Sequence, residues 1–77
     1  MDRLIVVSTP MGEWEGHVPF DAPVGAVIDL VAKGAGVSRA DYLELAPWAG
    51  PTVDPSTRIN AYPDCKYWTL IATGQAV

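Results

Sequence analysis

The chain has 77 residues, room for one domain around one small core. With 49% hydrophobic and 18% charged residues it is not a disordered chain, in which that balance is reversed. Its net charge is -4, and its basic residues (Arg3, Lys33, Arg39, Arg58, Lys66) are scattered, which excludes the basic stripe of a nucleic-acid binder and argues against an anionic membrane surface.

The longest apolar run, Leu4–Val7, is too short to span a bilayer, and no segment reads as a signal peptide. Cys65 is the single cysteine, so a disulfide framework is not expected and a reducing cytoplasm is the simpler compartment.

Leu4–Thr9 reads as a first strand, apolar on both alternating sets and so suited to the middle of a sheet. Pro10-Met11-Gly12-Glu13 supplies turn formers. Trp14–Phe20 follows with a period of two: Trp14, Gly16, Val18 and Phe20 share one face, Glu15 and His17 the other. Two strands across so short a turn form an antiparallel hairpin.

Asp21-Ala22-Pro23 marks a helix start, with Asp21 expected near the N-cap and Pro23 in the first turn. Val24, Val27, Ile28, Val31 and Ala35 then make one apolar stripe, and Gly34 and Gly36 are expected to end the helix. Tyr42–Ala46 reads as a third strand, with Leu43 and Leu45 on one face and Tyr42 and Glu44 on the other. Pro47-Trp48-Ala49-Gly50-Pro51 is a rigid loop, Asp54-Pro55 a turn, and Arg58–Ala61 a short helical turn. Tyr67–Thr73 is the last strand, and Gly74-Gln75-Ala76-Val77 is expected to be a tail.

A helix apolar on one side needs one sheet face to cover. The first and last strands are the most apolar, so they pair at the centre, and a right-handed crossover makes that pair parallel. The expected fold is therefore α+β, a ubiquitin-like β-grasp with a mixed four- to five-stranded sheet and one helix on one face.

The chain resembles ubiquitin along nearly its whole length, in element order and spacing and not in a tight motif. The echoes are Leu4-Ile5-Val6-Val7, the helix from Pro23, Tyr42-Leu43-Glu44-Leu45, and Tyr67-Trp68-Thr69-Leu70-Ile71 running into Gly74. It is more similar still to bacterial ubiquitin-like protein modifiers encoded beside E1-like, E2-like and peptidase-like enzymes, some of them in anti-phage conjugation systems. The resemblance implies a domain over residues 1–74 and a removable extension over 75–77.

It also implies a processing site at Gly74-Gln75 and Gly74 as the conjugation terminus. An E1-like enzyme would use ATP to adenylate the carboxylate, an E2-like enzyme would carry it as a thioester, and a lysine of a target protein would receive it. Lys33 and Lys66 are the candidate acceptors within the chain itself, although an ordinary solvated charge is the plainer reading of each. The pattern departs from the family in having one glycine where a pair is usual and in lacking a basic residue at Ala72-Thr73. A glycine that merely ends a strand accounts for Gly74 about as well.

The candidate partner surface is Trp48 with Tyr67, Thr69 and Ile71, the last three pointing outward if Trp68 and Leu70 point inward. Against this stand ordinary sheet packing for the three and, for Trp48, a ring folded over the core edge. Trp14 is expected to pack in the core or the hairpin. Cys65 has no His near it in sequence and reads as a small packing residue. His17 is alone, so neither a metal site nor a Ser-His-Asp set is expected. The chain is thus expected to be no enzyme and to need no cofactor. The alternatives to a modifier are a non-covalent interaction module and a sulfur carrier, although carriers normally end at their glycine pair.

Overall fold

β1 (Asp2–Thr9) and β2 (Gly12–Pro19) form the hairpin, in register from Asp2 opposite Pro19 to Thr9 opposite Gly12. The turn is tighter than expected, with only Pro10 and Met11 between the strands. Thr9 closes it: its hydroxyl accepts from the Met11 N–H (3.1 Å) and donates to the Gly12 carbonyl (2.6 Å). Gly12 has φ 120, a conformation open to glycine and costly for other residues. The computed structural model from which this is taken describes residues 1–38 and 41–75, with 41 and 73–75 as backbone alone.

α1 spans Val24–Ala35. Its N-cap is Pro23, with no side-chain cap, so Asp21 does not hold the position expected of it. Backbone from a distant loop satisfies the first turn instead: Val24 N–H donates to Thr57 O (2.8 Å) and Gly25 N–H to Pro55 O (2.9 Å). That loop is tied down by a bridge between Pro23 and Arg58, whose guanidinium donates to Asp21 O (2.9 Å).

Val24, Val27, Ile28 and Val31 are buried as the stripe requires, each stabilising the fold by about 1.5–3 kcal/mol. The fifth buried position is Ala32, whereas Ala35 is half-buried. Gly36 ends the helix at φ 75, its N–H bonded to Ala32 O. Gly34, expected at the end, is inside the helix, and it is small because the Trp14 indole lies against it.

β3 (Asp41–Pro47) and β4 (Tyr67–Gln75) complete the sheet, in the order β2-β1-β4-β3. β1 and β4 run parallel at its centre, and β3 pairs antiparallel with β4. Among the described residues the sheet has four strands, the lower of the expected numbers. A single 3₁₀ turn, Ile59–Ala61, occupies the stretch between β3 and β4 among the described residues, and Ile59 is fully buried. The inner face of the sheet (Ile5, Val7, Val18, Leu45, Trp68, Leu70) closes against α1 and the Val53 and Ile59 loop. This is the expected α+β β-grasp architecture.

β4 runs further than expected. Gln75 pairs with Asp41, so Gly74 lies within the strand and not in a tail past it. Between the pairs Leu43–Ala72 and Asp41–Gln75 the register shifts, leaving Thr73 and Gly74 opposite the single Tyr42. Such a bulge is a usual place for glycine in a strand. Residues 76–77 of the expected extension lie outside the described residues.

Candidate functional site

Alternation along β4 fixes the outer face of the sheet. Trp68 and Leu70 are buried toward α1, so Tyr67, Thr69 and Ile71 point away from it. Register adds Val6 and Ser8 of β1 and Glu44 and Ala46 of β3 to that face. Its β2 side is Glu13, Glu15 and His17, opposite Ser8, Val6 and Leu4.

Trp48 follows the end of β3, and its N–H donates to Tyr67 O (2.9 Å). Ala49 beside it has φ 65, and Gly50 N–H donates back to Pro47 O (2.9 Å), a tight turn that leaves the indole outside the core. Trp48 is 75% exposed and Tyr67 54%. The expectation that Trp48 folds over the core edge is not met: Pro47 takes the buried place on the ladder opposite Trp68.

Trp48 and Tyr67 form a ridge between two hollows. One, of about 480 Å³, is completed by Tyr62, Pro63, Asp64, Cys65 and Lys66. The other, of about 450 Å³, is completed by Val6, Ser8, Glu13, Trp68 and Thr69. The structure thus brings Trp48, Tyr67 and Thr69 of the expected surface together, while Ile71 lies further along β4 beside Glu44.

Tyr62, Pro63 and Glu13 were not expected here. Tyr62-Pro63 falls in a stretch with little periodicity, and its adjacency to β4 depends on the fold. The only available signal was the clustering of aromatic and proline residues from Pro47 to Trp68.

The wall of the first hollow is braced from beneath. Arg3, from β1, donates to Ile59 O (3.2 Å), Tyr62 O (2.9 Å) and Cys65 O. Trp68 Nε1–H donates to Cys65 O (3.1 Å), and the Trp68 ring meets Tyr62 edge-to-face at 5.6 Å. The Lys66 ammonium lies 5.7 Å from the Tyr67 ring centre, within cation–π range.

Cys65 is half-buried against the core, and its thiol donates to Tyr67 O at 3.1 Å. Lys33, on α1, and Lys66, just before β4, are both exposed. Among the described residues the acidity of Asp54 is clearly perturbed: hydrogen bonds first from the Ser56 hydroxyl and then from its N–H hold the carboxyl below its ordinary value. It shapes the loop under the α1 N-terminus and belongs to neither hollow.

Among the described residues no group of three or more His, Cys, Asp or Glu could hold a metal ion, and no helix is long and apolar enough to cross a membrane.

No protein-family model and no curated protein matches the sequence. Solved structures do match in shape. The N-terminal ubiquitin-like domain of the 4931431F19Rik protein superposes with a TM-score of 0.78 at 15% identity, over 99% of this chain and 79% of that one. A chain of the pParkin–pUb–UbcH7 complex gives 0.76 at 16% identity, over 94% of this chain and 23% of that one. The crystal structure of ATBAG1 in complex with HSP70 gives 0.73 at 14% identity, over 90% and 39%. The present chain therefore spans well under half the length of two of these neighbours. At such identities the likeness concerns fold, and together with the mixed sheet and its single covering helix it shows that the chain has the ubiquitin-like β-grasp fold.

Proposed function

We propose that this chain is a ubiquitin-like protein-recognition domain that docks a partner protein on the Trp48–Tyr67 ridge. The observation that carries the reading is the exposure of Trp48 beside Tyr67 on a braced wall. Large aromatic rings held in water cost the free protein apolar hydration, and their burial at an interface supplies anchoring energy of about 2 kcal/mol or more each. Two neighbours of the fold are structures of complexes, with HSP70 in one and with pUb and UbcH7 in the other, which supports protein as the class of partner. The reading gives the chain no catalysis of its own and no cofactor, and it suits a cytoplasmic setting.

The test is photo-crosslinking from position 48 in the native cell. A discrete protein adduct, absent when the crosslinker is placed on the far side of α1 at Lys33, is expected. Identical adduct patterns from both positions would refute the reading.

A second reading is favoured by the glycine near the end of β4 in a ubiquitin-like fold. The chain would be a protein modifier of the bacterial kind, with a role in antiviral defence. A peptidase would remove residues 75–77, and E1-like and E2-like enzymes would then join Gly74 to target proteins, with Lys33 and Lys66 as acceptors for further copies. The bulge weakens this reading, because it gives Gly74 a structural reason to be glycine, and the pairing of Gln75 with Asp41 has to open before the end can thread an enzyme channel.

The intact mass of the protein from its native cell separates the two. Loss of Gln75-Ala76-Val77, or adducts joined through Gly74, would establish the modifier. A full-length, unlinked mass favours the recognition domain.

A further inference from the structure

The ridge constrains the shape and chemistry of what it binds. The β4 backbone beneath it is already paired on both sides: Val6 N–H donates to Lys66 O and Trp48 N–H to Tyr67 O, both at 2.9 Å. A ligand cannot add to β4 as a strand, because both of its edges are already paired and the sheet's outermost strands are β2 and β3. What the site does offer is aromatic side chains, Trp48, Tyr67 and Tyr62, with Pro63 beside them. An occupant of the ridge itself is therefore held by apolar contact with these side chains and not by ladder hydrogen bonds to β4.

A polyproline II segment suits such contact. It makes no internal hydrogen bonds, it loses little entropy on docking, and its three-residue period repeats every ~9 Å, which allows successive prolines to sit on either side of one ridge. The bracing of Tyr62 and Cys65 by Arg3 and Trp68 further lowers the ordering cost.

Charge gives the segment a direction. Lys66 stands over Tyr67 on the side of the first hollow, partly offset by Asp64. Glu13 lines the second hollow, Glu15 follows on the same face of β2, and the chain as a whole carries -4. A cation is repelled at one end and attracted at the other.

We infer that the Trp48–Tyr67 ridge docks an extended, proline-containing segment of a partner protein, with an Arg or Lys of that segment lying over Glu13 and Glu15. The inference rests on the recognition reading and names the chemistry of the partner.

The experiment is an NMR titration of the ¹⁵N-labelled protein with a synthetic, end-blocked peptide carrying proline at every third position and one terminal arginine. Saturable shifts are expected at the Trp48 indole N–H and the Tyr67 and Thr69 amides. Trp48→Ala is expected to weaken binding about tenfold or more. Glu13→Lys is expected to weaken it several-fold, with the difference shrinking as salt is raised.

Equal binding of a peptide with alanine in place of proline would overturn the proposal. So would equal binding with glutamate in place of arginine, shifts confined to another face, or no shift at millimolar peptide. A crosslink from position 48 that excess peptide does not compete away would also overturn it, while leaving the recognition reading intact. No adduct and no peptide binding would end both.

Discussion

Two tryptophans mark the two sides of one sheet, and they do different work. Trp68 faces α1 at 2% exposure, with its indole N–H bonded to Cys65 O and its ring set edge-to-face on Tyr62. Trp48, held next to it through the Trp48–Tyr67 backbone bond, stands in solvent. The same residue type is a satisfied core group on one side and an unfilled contact on the other. Aromatic content therefore gives stability where neighbours close around it and a docking surface where a turn holds it away from them.

The largest effect that separates the two sides is on stability. Trp68→Ala is expected to cost about 3–5 kcal/mol, enough to unfold much of a domain this small, measured by chemical denaturation. Trp48→Ala is expected to stay within about 0.5 kcal/mol of wild type in the same assay. A large loss at Trp48 would mean that its ring belongs to the core after all and would remove the contrast.

Arg3→Leu comes next, at about 2–3 kcal/mol, since three carbonyls of the loop beneath the ridge lose their shared donor. It should also weaken binding at the ridge, which Trp68-side packing alone would not require. Denaturation and the peptide titration on the same variant check both.

Gly34→Ala sharpens the inner side further. A Cβ there would overlap the Trp14 indole nitrogen, and the ring is confined by Gly16, where an added Cβ would lie 2.7 Å from it. Overlap is expected to outweigh the gain in helix propensity and destabilise by about 1 kcal/mol. In a Trp14→Ala background the sign should reverse, to a gain of up to about 1 kcal/mol, because only the propensity term survives. Unchanged sign would show that the indole does not need Gly34.

The smallest effect is at Asp54, which lines neither hollow. Its folded carboxyl is more acidic than its unfolded one, so its contribution is present at neutral pH, begins to fall as pH drops through the ordinary carboxylate value near 3.8, and is gone below the folded value. Asp54→Ala should lower Tm slightly at pH 7 and not at all below that window, as thermal melts across pH would show. It should leave binding at the ridge unchanged.

Much of the fold was legible locally. The alternation of Trp14, Gly16 and Val18 against Glu15 and His17, and the spacing of Val24, Val27, Ile28 and Val31, are periodicities that a single strand or helix imposes on its own residues. The central pairing of the first and last strands followed from their apolar character on both faces. Half of the candidate site was legible in the same way, since inward Trp68 and Leu70 force Tyr67 and Thr69 outward.

The rest depended on contacts between distant segments. Asp21 has the residue type of a helix cap, yet Thr57 and Pro55 carbonyls supply the partners. Gly34 has the residue type of a helix stop, yet it lies inside α1 against Trp14. Gly74 has the residue type of a tail, yet Gln75 beyond it pairs with Asp41.

By itself, then, the sequence determined the element order, the inner face of each element and the absence of a basic surface stripe, because composition and periodicity are properties of neighbours along the chain. Tertiary structure alone decided that Trp48 stays in water, that Tyr62 and Pro63 meet Tyr67 across a braced loop, and that Gly74 sits in a bulge. Each of those is settled by which distant backbone groups satisfy one another's hydrogen bonds, and no local pattern encodes that choice.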